Sequence, residues 1–320
     1  MARSLITGGA GFIGSHLAEE LVKRGRSVVI IDDLSNGRMD NIASVKHQVV
    51  FLRHDVARGL AGLDELEEVD EIYHLACYPR QISFSNPLRD CEVNLMGTIG
   101  CLELARKTGA KVLYTSNTGV VSNPSTLPVD ETFPPNPLTP YDTHKLASEY
   151  MLSAYHKFYS VRTVTVRFAS IYGPRQRVNN QLGWKPVIPE FVTKLLRREA
   201  PTMDGDGKQT RDFLYVKDAV DGVIRAMESN APEANSGGMF ILGTNRETSI
   251  NDIYQSIARL LKMDFEARRG PGKAEDIMRM RYDYTKAKRT FGFEPRTTVE
   301  EGLEETVAFL REEAELSRQT

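Results

Sequence analysis

The 320-residue chain has few cysteines and no long apolar run. Its cysteines, Cys77, Cys91 and Cys101, are odd in number and lack the spacing of a metal site, so we expect reduced thiols, no metal and a cytoplasmic protein. No apolar stretch approaches the roughly 20 residues that a membrane-spanning helix needs. Lysine and arginine total 41 against 43 aspartate and glutamate, so we expect neither nucleic acid nor membrane as a partner. These scarcities leave a globular protein of one large or two modest domains.

A glycine-rich turn near the amino terminus is the strongest local pattern. The heptapeptide Gly-Gly-Ala-Gly-Phe-Ile-Gly follows a short apolar strand at residues 5–7 and precedes a helical pattern at residues 15–25. Gly8 permits a tight turn, Gly11 lets backbone N–H groups approach a pyrophosphate, and Gly14 lets the helix lie close to the strand. The turn therefore predicts a dinucleotide site.

Two carboxylates end the next predicted strand, at residues 27–31. Asp32 and Asp33 follow it directly. A carboxylate at this point accepts hydrogen bonds from the adenosine ribose hydroxyls and repels a 2′-phosphate. The sequence therefore predicts NAD rather than NADP.

Apolar strands and helical patterns alternate through the first half of the chain. Further strands are predicted at residues 49–52, 71–76, 111–114 and 163–168, and helices at residues 94–109 and 141–159. Such alternation predicts an α/β fold, a doubly wound parallel (Rossmann) sheet with a smaller carboxyl-terminal lobe. We expect an NAD-binding domain at residues 1–173, with a sheet and helix return at about 213–245, and an interwoven substrate lobe at residues 174–212 and 246–320.

A tyrosine and a lysine four residues apart supply the candidate chemistry. Tyr141 and Lys145 begin a predicted helix just after Pro140, so both side chains point the same way. A tyrosine hydroxyl, with a pKa near 10, is a poor base at neutral pH. A neighbouring ammonium and a positive nicotinamide ring favour its phenolate, which can then take a proton from a substrate hydroxyl.

Together these motifs resemble the extended short-chain dehydrogenase/reductase family, the NAD-dependent nucleotide-sugar epimerases and dehydratases. The resemblance covers nearly the whole chain. It rests on the glycine turn at residues 7–14, residues 32–36, Asp55-Val56, residues 74–76, Asn94, Tyr141 with Lys145, residues 167–174, residues 205–207 and residues 211–213.

The resemblance implies a set of NAD contacts. Phe12 and Ile13 line the pyrophosphate turn, Ser35 and Asn36 flank the adenosine ribose, and Asp55-Val56 holds the adenine. Tyr141 is the base, and Lys145 also binds the nicotinamide ribose. The remaining implied cofactor contacts are Gly37, Leu75, Ala76, Asn94 and Ala169.

One position departs from the family pattern. The family commonly has a serine or threonine that helps the tyrosine bind the reacting hydroxyl, and Asn117 occupies that place here. Its neighbours Ser116 and Thr118 could present a hydroxyl instead, and the asparagine could donate from its amide. Asn117 could also merely cap a turn.

The same stretch separates the possible reactions. The family's 4,6-dehydratases carry an acidic pair after the hydroxyl residue, and its decarboxylases carry a glutamate, whereas this chain has Thr118-Gly119. Elimination needs a proton donor, so we rank 4-epimerisation of a UDP-hexose first. A dehydratase or decarboxylase, a CDP-sugar 2-epimerase and a non-catalytic NAD-binding protein stay as alternatives.

Substrate and subunit contacts are also implied by the resemblance. A nucleotide diphosphate suits arginine, and the candidate substrate contacts are Tyr78, Arg80, Ser170, Lys185, Val187, Arg211, Arg279 and Arg281. Family members pair through two helices per subunit, so we expect a homodimer with a four-helix interface formed by residues 94–109 and 141–159.

Overall fold

The computed structural model describes residues 2–122, 124–263, 266–271 and 277–319. Its strands, in chain order, are β1 Arg3–Thr7, β2 Ser27–Asp32, β3 Val49–Arg53, β4 Glu71–His74, β5 Lys111–Asn117, β6 Thr163–Phe168, β7 Ser170–Tyr172, β8 Thr202–Asp204, β9 Thr210–Arg211, β10 Phe213–Tyr215, β11 Ser236–Leu242, β12 Thr248–Ser249 and β13 Arg268–Gly270. Its α-helices are α1 Phe12–Lys23, α2 Arg80–Ser83, α3 Pro87–Cys91, α4 Gly97–Thr108, α5 Pro140–Tyr159, α6 Val187–Leu196, α7 Val216–Glu228, α8 Ile250–Leu261, α9 Thr285–Phe291 and α10 Val299–Gln319.

Seven parallel strands form the main sheet, in the order β11-β6-β5-β4-β1-β2-β3. Thr7 pairs with Ile31 on one side and with His74 on the other, so the carboxyl ends of three strands lie level at one edge. The order reverses beside β1, where β4 and β2 flank it, and such a switch point opens a crevice for ligands. The predicted α/β doubly wound fold is confirmed.

Helices cover both faces of the sheet. Helices α1 and α7 contact each other and pack on one face, and α4 and α5 contact each other on the other face. Each face holds its own cluster of buried aliphatic side chains, such as Leu17 and Ile30 on one and Leu102 and Val112 on the other. Burial of each such side chain contributes about 1.5–3 kcal/mol to folding.

A third core belongs to the smaller lobe. It joins α6, α8 and α10 through Phe191, Leu195, Ile253, Ile257 and Leu303. Strand β11, from the second half of the chain, pairs with β6 and completes the main sheet. The two halves are therefore interwoven, while the domain boundaries given above stay predictions.

Several element boundaries differ from those the sequence predicts. Strand β5 continues to Asn117, β4 stops at His74, and α1 begins at Phe12. The helix predicted at residues 94–109 begins earlier, because α3 runs into a π-helical segment, Glu92–Met96, before α4. None of the helices in the described ranges is long and apolar enough to cross a membrane.

Candidate active site

A cavity of about 1560 Å³ lies at the carboxyl edge of the main sheet, beneath the smaller lobe. Pockets for drug-sized ligands usually measure roughly 300–1,000 Å³, so this one has room for a dinucleotide and a second ligand. The predicted site residues that line it are Gly8, Gly11, Phe12, Ile13, Gly14, Asp32, Asp33, Ser35, Asn36, Gly37, Asp55, Val56, Leu75, Ala76, Tyr78, Arg80, Ser116, Asn117, Thr118, Tyr141, Lys145, Ala169, Ser170, Lys185, Val187 and Arg211.

The glycine turn lies between β1 and α1 and leaves no room for a side chain at Gly8 or Gly14. Gly8 has a positive φ of 71°, and an ideal Cβ there would lie 2.8 Å from the backbone nitrogen of Ala76. An ideal Cβ on Gly14 would lie 2.2 Å from the carbonyl oxygen of Gly8. The turn therefore presents bare backbone at the amino terminus of α1, where N–H groups and the helix dipole favour a phosphate.

Asp32 ends β2 with its carboxylate held in place. Its Oδ2 accepts from the Ala10 N–H at 2.9 Å, and its Oδ1 accepts from the Leu34 N–H at 2.9 Å. Burial raises the pKa of Asp32 above its usual value. Gly37 packs so closely that an ideal Cβ would lie 2.5 Å from Asp32 Oδ1. The fit of this carboxylate and the glycine turn matches what an NAD adenosine and pyrophosphate require.

Arg89, which no sequence motif points to, lines the same end of the cavity. Its Nη2 donates to Asp55 Oδ2 at 2.7 Å, and it lies 3.9 Å from Asp33. Hydrogen bonding to Asp55 keeps the pKa of Arg89 high against the opposing effect of burial. The arginine thereby neutralises part of the negative charge that the carboxylates bring to the adenine end.

Tyr141 and Lys145 lie at the opposite end of the cavity, on the first turns of α5. Thr139 caps this helix by accepting from the Asp142 N–H, and Pro140 occupies its first turn. Lys145 Nζ donates to the Thr115 carbonyl at 2.9 Å and lies 5.7 Å from the centroid of the Tyr141 ring. The pair is therefore fixed to the end of β5.

The pKa values of this pair differ from the expectation that the lysine makes the tyrosine hydroxyl more acidic. Burial raises the pKa of the Tyr141 hydroxyl well above its usual value, with Cys77 and Tyr114 adding to the effect. Burial also lowers the pKa of Lys145. In the protein alone the ammonium therefore does not offset burial, and Tyr141 carries its proton at neutral pH. For Tyr141 to act as a base, positive charge must come in large part from the cofactor ring.

Three polar residues at the end of β5 face different surroundings. Thr118 Oγ1 donates to the Phe168 carbonyl at 3.0 Å. Ser116 Oγ is sealed from solvent and has no hydrogen-bond partner in the part of the chain that the structure describes. Asn117 is half-buried and keeps part of its side chain at the cavity.

Three predicted site residues lie outside the cavity lining. Asn94 is fully buried, accepts from the Tyr78 N–H at 2.9 Å and donates to the Tyr78 carbonyl at 3.1 Å, so it holds a cavity-lining loop from behind. Arg279 forms two hydrogen bonds to Glu247 on the surface. Arg281 lies beside Val129, whose N–H donates to its carbonyl. The direct contacts of these three with cofactor or substrate stay predictions.

The substrate side of the cavity carries several cations. Lys185 is exposed, and Arg211 Nη1 donates to the carbonyls of Thr210 and Ile277 at 2.8 and 2.6 Å. Arg80 donates through Nε and Nη2 to Asp142 Oδ2, at 3.2 and 3.1 Å. Cations at this end suit a phosphorylated ligand.

Cys77 also lines the cavity, although the sequence indicates only a reduced thiol. It is exposed, and it adds to the electrostatic environment of both Tyr141 and Lys145. Cys101, by contrast, is fully buried, and burial raises its pKa to about 12.

The sequence and the fold are both similar to known proteins. The family model for GDP-mannose 4,6-dehydratase matches residues 5–306. A UDP-glucose 4-epimerase of Mycolicibacterium smegmatis is 35% identical over 319 residues, which cover 98% of this chain and 100% of the relative. UDP-glucuronic acid decarboxylase 1 of Arabidopsis thaliana is 33% identical over 317 residues, covering 97% and 70%.

Solved structures give the same picture. The UDP-glucose 4-epimerase of Thermotoga maritima with UDP-glucose has a TM-score of 0.89 at 31% identity, covering 98% of this chain and 99% of that one. The UDP-glucose 4-epimerase of Thermus thermophilus in complex with NAD has a TM-score of 0.85 at 30% identity, covering 97% and 99%.

Proposed function

The chain belongs to the GDP-mannose 4,6-dehydratase-like family of extended short-chain dehydrogenases/reductases, and we propose that it is an NAD-dependent nucleotide-sugar epimerase that inverts C4 of a UDP-hexose. One observation carries the proposal. Tyr141 and Lys145 lie in the same cavity as the bare glycine turn and the Asp32 carboxylate. A cofactor bound along that turn and an acid–base group at the far end are what reversible sugar oxidation needs.

The residues of this chain divide the work of binding and proton transfer. The glycine turn, Asp32 and Asp55 would hold NAD, which supplies a reversible hydride acceptor when bound. Lys145, fixed by the Thr115 carbonyl, keeps a positive charge beside the phenol. Tyr141 takes the proton from the sugar hydroxyl during oxidation. It gives the proton back to the same oxygen after the ketosugar has rotated in the cavity.

The neighbourhood of Gly119 favours epimerisation over elimination or decarboxylation. This position supplies no carboxylate, and an ideal Cβ there would lie 2.5 Å from Asn117 Oδ1 and 2.9 Å from Asp142 Oδ1, so an acidic side chain would have to displace Asn117. Asp142 itself is fully buried, and its Oδ2 already accepts from Arg80 and Thr139. A sealed carboxylate cannot protonate a leaving hydroxyl.

The nucleotide diphosphate is assigned to the cationic side of the cavity. Lys185 and Arg211 line the same cavity as the glycine turn. Tyr78 and Arg80 border the end nearest Tyr141 and are assigned to the sugar. Relatives and solved neighbours that act on or bind UDP-sugars support the choice of UDP.

We also propose a homodimer through a four-helix interface. Leu88 of α3, Met96 of the π-helical segment, and Tyr150 and Phe158 of α5 expose between 51% and 78% of their side chains. Large apolar residues on adjacent helices mark a surface for a second copy. Sedimentation should give a dimer, and replacing Leu88 and Tyr150 by lysine should give a folded monomer; a dimer that persists would place the interface elsewhere.

The three free thiols support a reducing, cytoplasmic location.

A panel experiment tests the activity. Purified protein is incubated with UDP-, dTDP-, GDP- and CDP-sugars, products are identified by NMR, and NADH is followed by absorbance. We expect C4 inversion of a UDP-hexose without net NADH, and Tyr141→Phe should lose at least about 10²-fold in kcat while retaining NAD. A stable 4-keto-6-deoxy sugar or released carbon dioxide would instead identify a dehydratase or decarboxylase. Inversion at C2 of a CDP-sugar would identify the 2-epimerase, and NAD retention with no turnover a non-catalytic binding protein.

A further inference from the structure

The hydroxyls on either side of Asn117 are bonded or sealed from solvent, although both residues line the cavity. Thr118 Oγ1 is committed to the Phe168 carbonyl. Ser116 is 3% exposed, and its Oγ lies where no solvent-sized atom reaches it. Asn117 is thus the residue of this stretch whose side chain remains partly open to the ligand space.

Asn117 and Asp142 meet across Gly119. An ideal Cβ on Gly119 would lie 2.5 Å from Asn117 Oδ1 and 2.9 Å from Asp142 Oδ1. Both oxygens therefore border the space that the glycine leaves empty. Asp142 Oδ1 is buried and has no hydrogen-bond partner among the described residues, and the same holds for Asn117 Nδ2. The other oxygen of Asp142 is saturated by Thr139 and Arg80.

Reversing the carboxamide places a donor beside Asp142 Oδ1 and moves the amide oxygen into the sealed position. The two ends of an asparagine amide have nearly the same shape, so hydrogen bonding decides which end points where. With the oxygen toward Asp142, two acceptors face each other and the donor is sealed without a partner. With the nitrogen toward Asp142, one N–H faces Asp142 Oδ1, and the second lies on the side of the amide that is not sealed. Leaving a buried carboxylate oxygen unpaired beside an available donor is unfavourable.

We propose that Asp142 orients the Asn117 carboxamide so that its NH₂ group donates a hydrogen bond to the sugar oxygen on the reacting carbon. This assignment rests on the proposed function. When the sugar is oxidised, its hydroxyl proton passes to Tyr141 and the C–H electron pair leaves as hydride, so the C–O bond becomes a carbonyl. The Asn117 N–H then donates to the carbonyl oxygen, which carries more negative charge than the alcohol oxygen. Return of the hydride and of the Tyr141 proton restores the alcohol.

Asp142 is a positioning residue in this arrangement, because it is sealed from the ligand. Thr139 and Arg80 hold the carboxylate, and the carboxylate holds the amide. A serine in place of Asn117 would need no such support, since a hydroxyl donates and accepts by rotation. Activity should therefore depend on Asp142 only while residue 117 is an asparagine.

A double-mutant cycle in the full-length, NAD-loaded protein tests this dependence. Asp142→Asn should lower kcat about tenfold, because a carboxamide at 142 imposes no single orientation on Asn117. In an Asn117→Ser background the same Asp142→Asn change should alter kcat less than about twofold. The exposed, remote Asp64→Asn serves as the charge-matched control in both backgrounds. An equal loss from Asp142→Asn in both backgrounds would overturn the proposal, because Asp142 would then act through the fold or through Arg80.

A second readout does not depend on turnover. The side-chain amide resonance of Asn117, identified by its disappearance in Asn117→Ser, is recorded by ¹⁵N NMR on NAD-loaded protein without sugar. Asp142→Asn should shift this resonance, whereas Asp64→Asn should leave it in place. An unchanged resonance in Asp142→Asn would overturn the orienting role. If no nucleotide sugar is turned over, the proposed function fails by itself, and the resonance still decides whether Asp142 holds the amide.

Discussion

Burial of a neutral histidine beneath the cofactor turn should make the fold acid-sensitive. His74 ends β4 and is 1% exposed. Its ring bonds Thr7 Oγ1 through Nδ1 at 2.7 Å and Thr98 Oγ1 through Nε2 at 3.0 Å. Because Thr98 donates its own hydroxyl proton to the Asn94 carbonyl, it accepts from Nε2–H, and Nδ1 is the acceptor for Thr7. The neutral ring is thus fully satisfied.

The size of the effect follows from linkage. Burial lowers the pKa of His74 from 6.5 to about 3, with Lys145 adding to the shift. Below pH 6.5 the unfolded chain takes up the proton while the folded ring stays neutral, so stability falls as the pH falls. Each pH unit contributes about 1.4 kcal/mol, so His74 alone should remove about 3 kcal/mol of the free energy of unfolding by pH 4.

Urea unfolding of the wild type and of His74→Gln at a series of pH values isolates this contribution. The variant should be less stable at pH 7, because a glutamine makes poorer bonds to Thr7 and Thr98, and the gap should narrow by about 3 kcal/mol between pH 7 and pH 4. Burial also lowers the pKa of His16, to about 4. His16 and the carboxylates are present in both proteins, so their contributions cancel in the stability difference between wild type and variant. Exposed His47→Gln is the control. A gap that stays constant across this range would refute the assignment of a buried neutral His74.

Two further changes test the cavity itself. Gly14→Ala places a methyl group 2.2 Å from the Gly8 carbonyl oxygen, which belongs to the backbone and cannot rotate away. The variant should therefore lose more than about 1 kcal/mol of stability and most of its bound NAD. Normal NAD content would contradict the turn geometry. Iodoacetamide should alkylate Cys77 before Cys91 and Cys101, since among the described cysteines only Cys77 is both exposed and in the cavity lining. Saturating NAD together with UDP should slow the alkylation of Cys77. Labelling unaffected by these ligands would place Cys77 outside the ligand space.

The sequence predicts the parts of the site that belong to one local segment. The glycine turn, the carboxylates after β2 and the Tyr141–Lys145 pair each follow from spacing along a strand or a helix. All of them lie on one cavity because parallel strands end at one edge. Local patterns thus suffice for the cofactor end and for the acid–base pair.

Interactions between distant segments are beyond such patterns. Asn94 lies in a π-helical segment and bonds the backbone of Tyr78, and no periodicity signals that segment. Arg279 pairs with Glu247 across 32 positions, a contact that no local pattern indicates. The contact of Asp142 with Gly119 and the rise in the Tyr141 pKa also depend on packing, so they become visible only in three dimensions.

One isotope experiment tests the central claim, that a hydride leaves the sugar and returns to it within the cavity. A UDP-hexose carrying deuterium at C4 is converted in ordinary water, and the product is analysed by NMR and mass spectrometry. We predict an inverted C4 that still carries its deuterium, with no lasting NADH. Loss of the deuterium to solvent, or its appearance at another carbon of the product, would contradict the account.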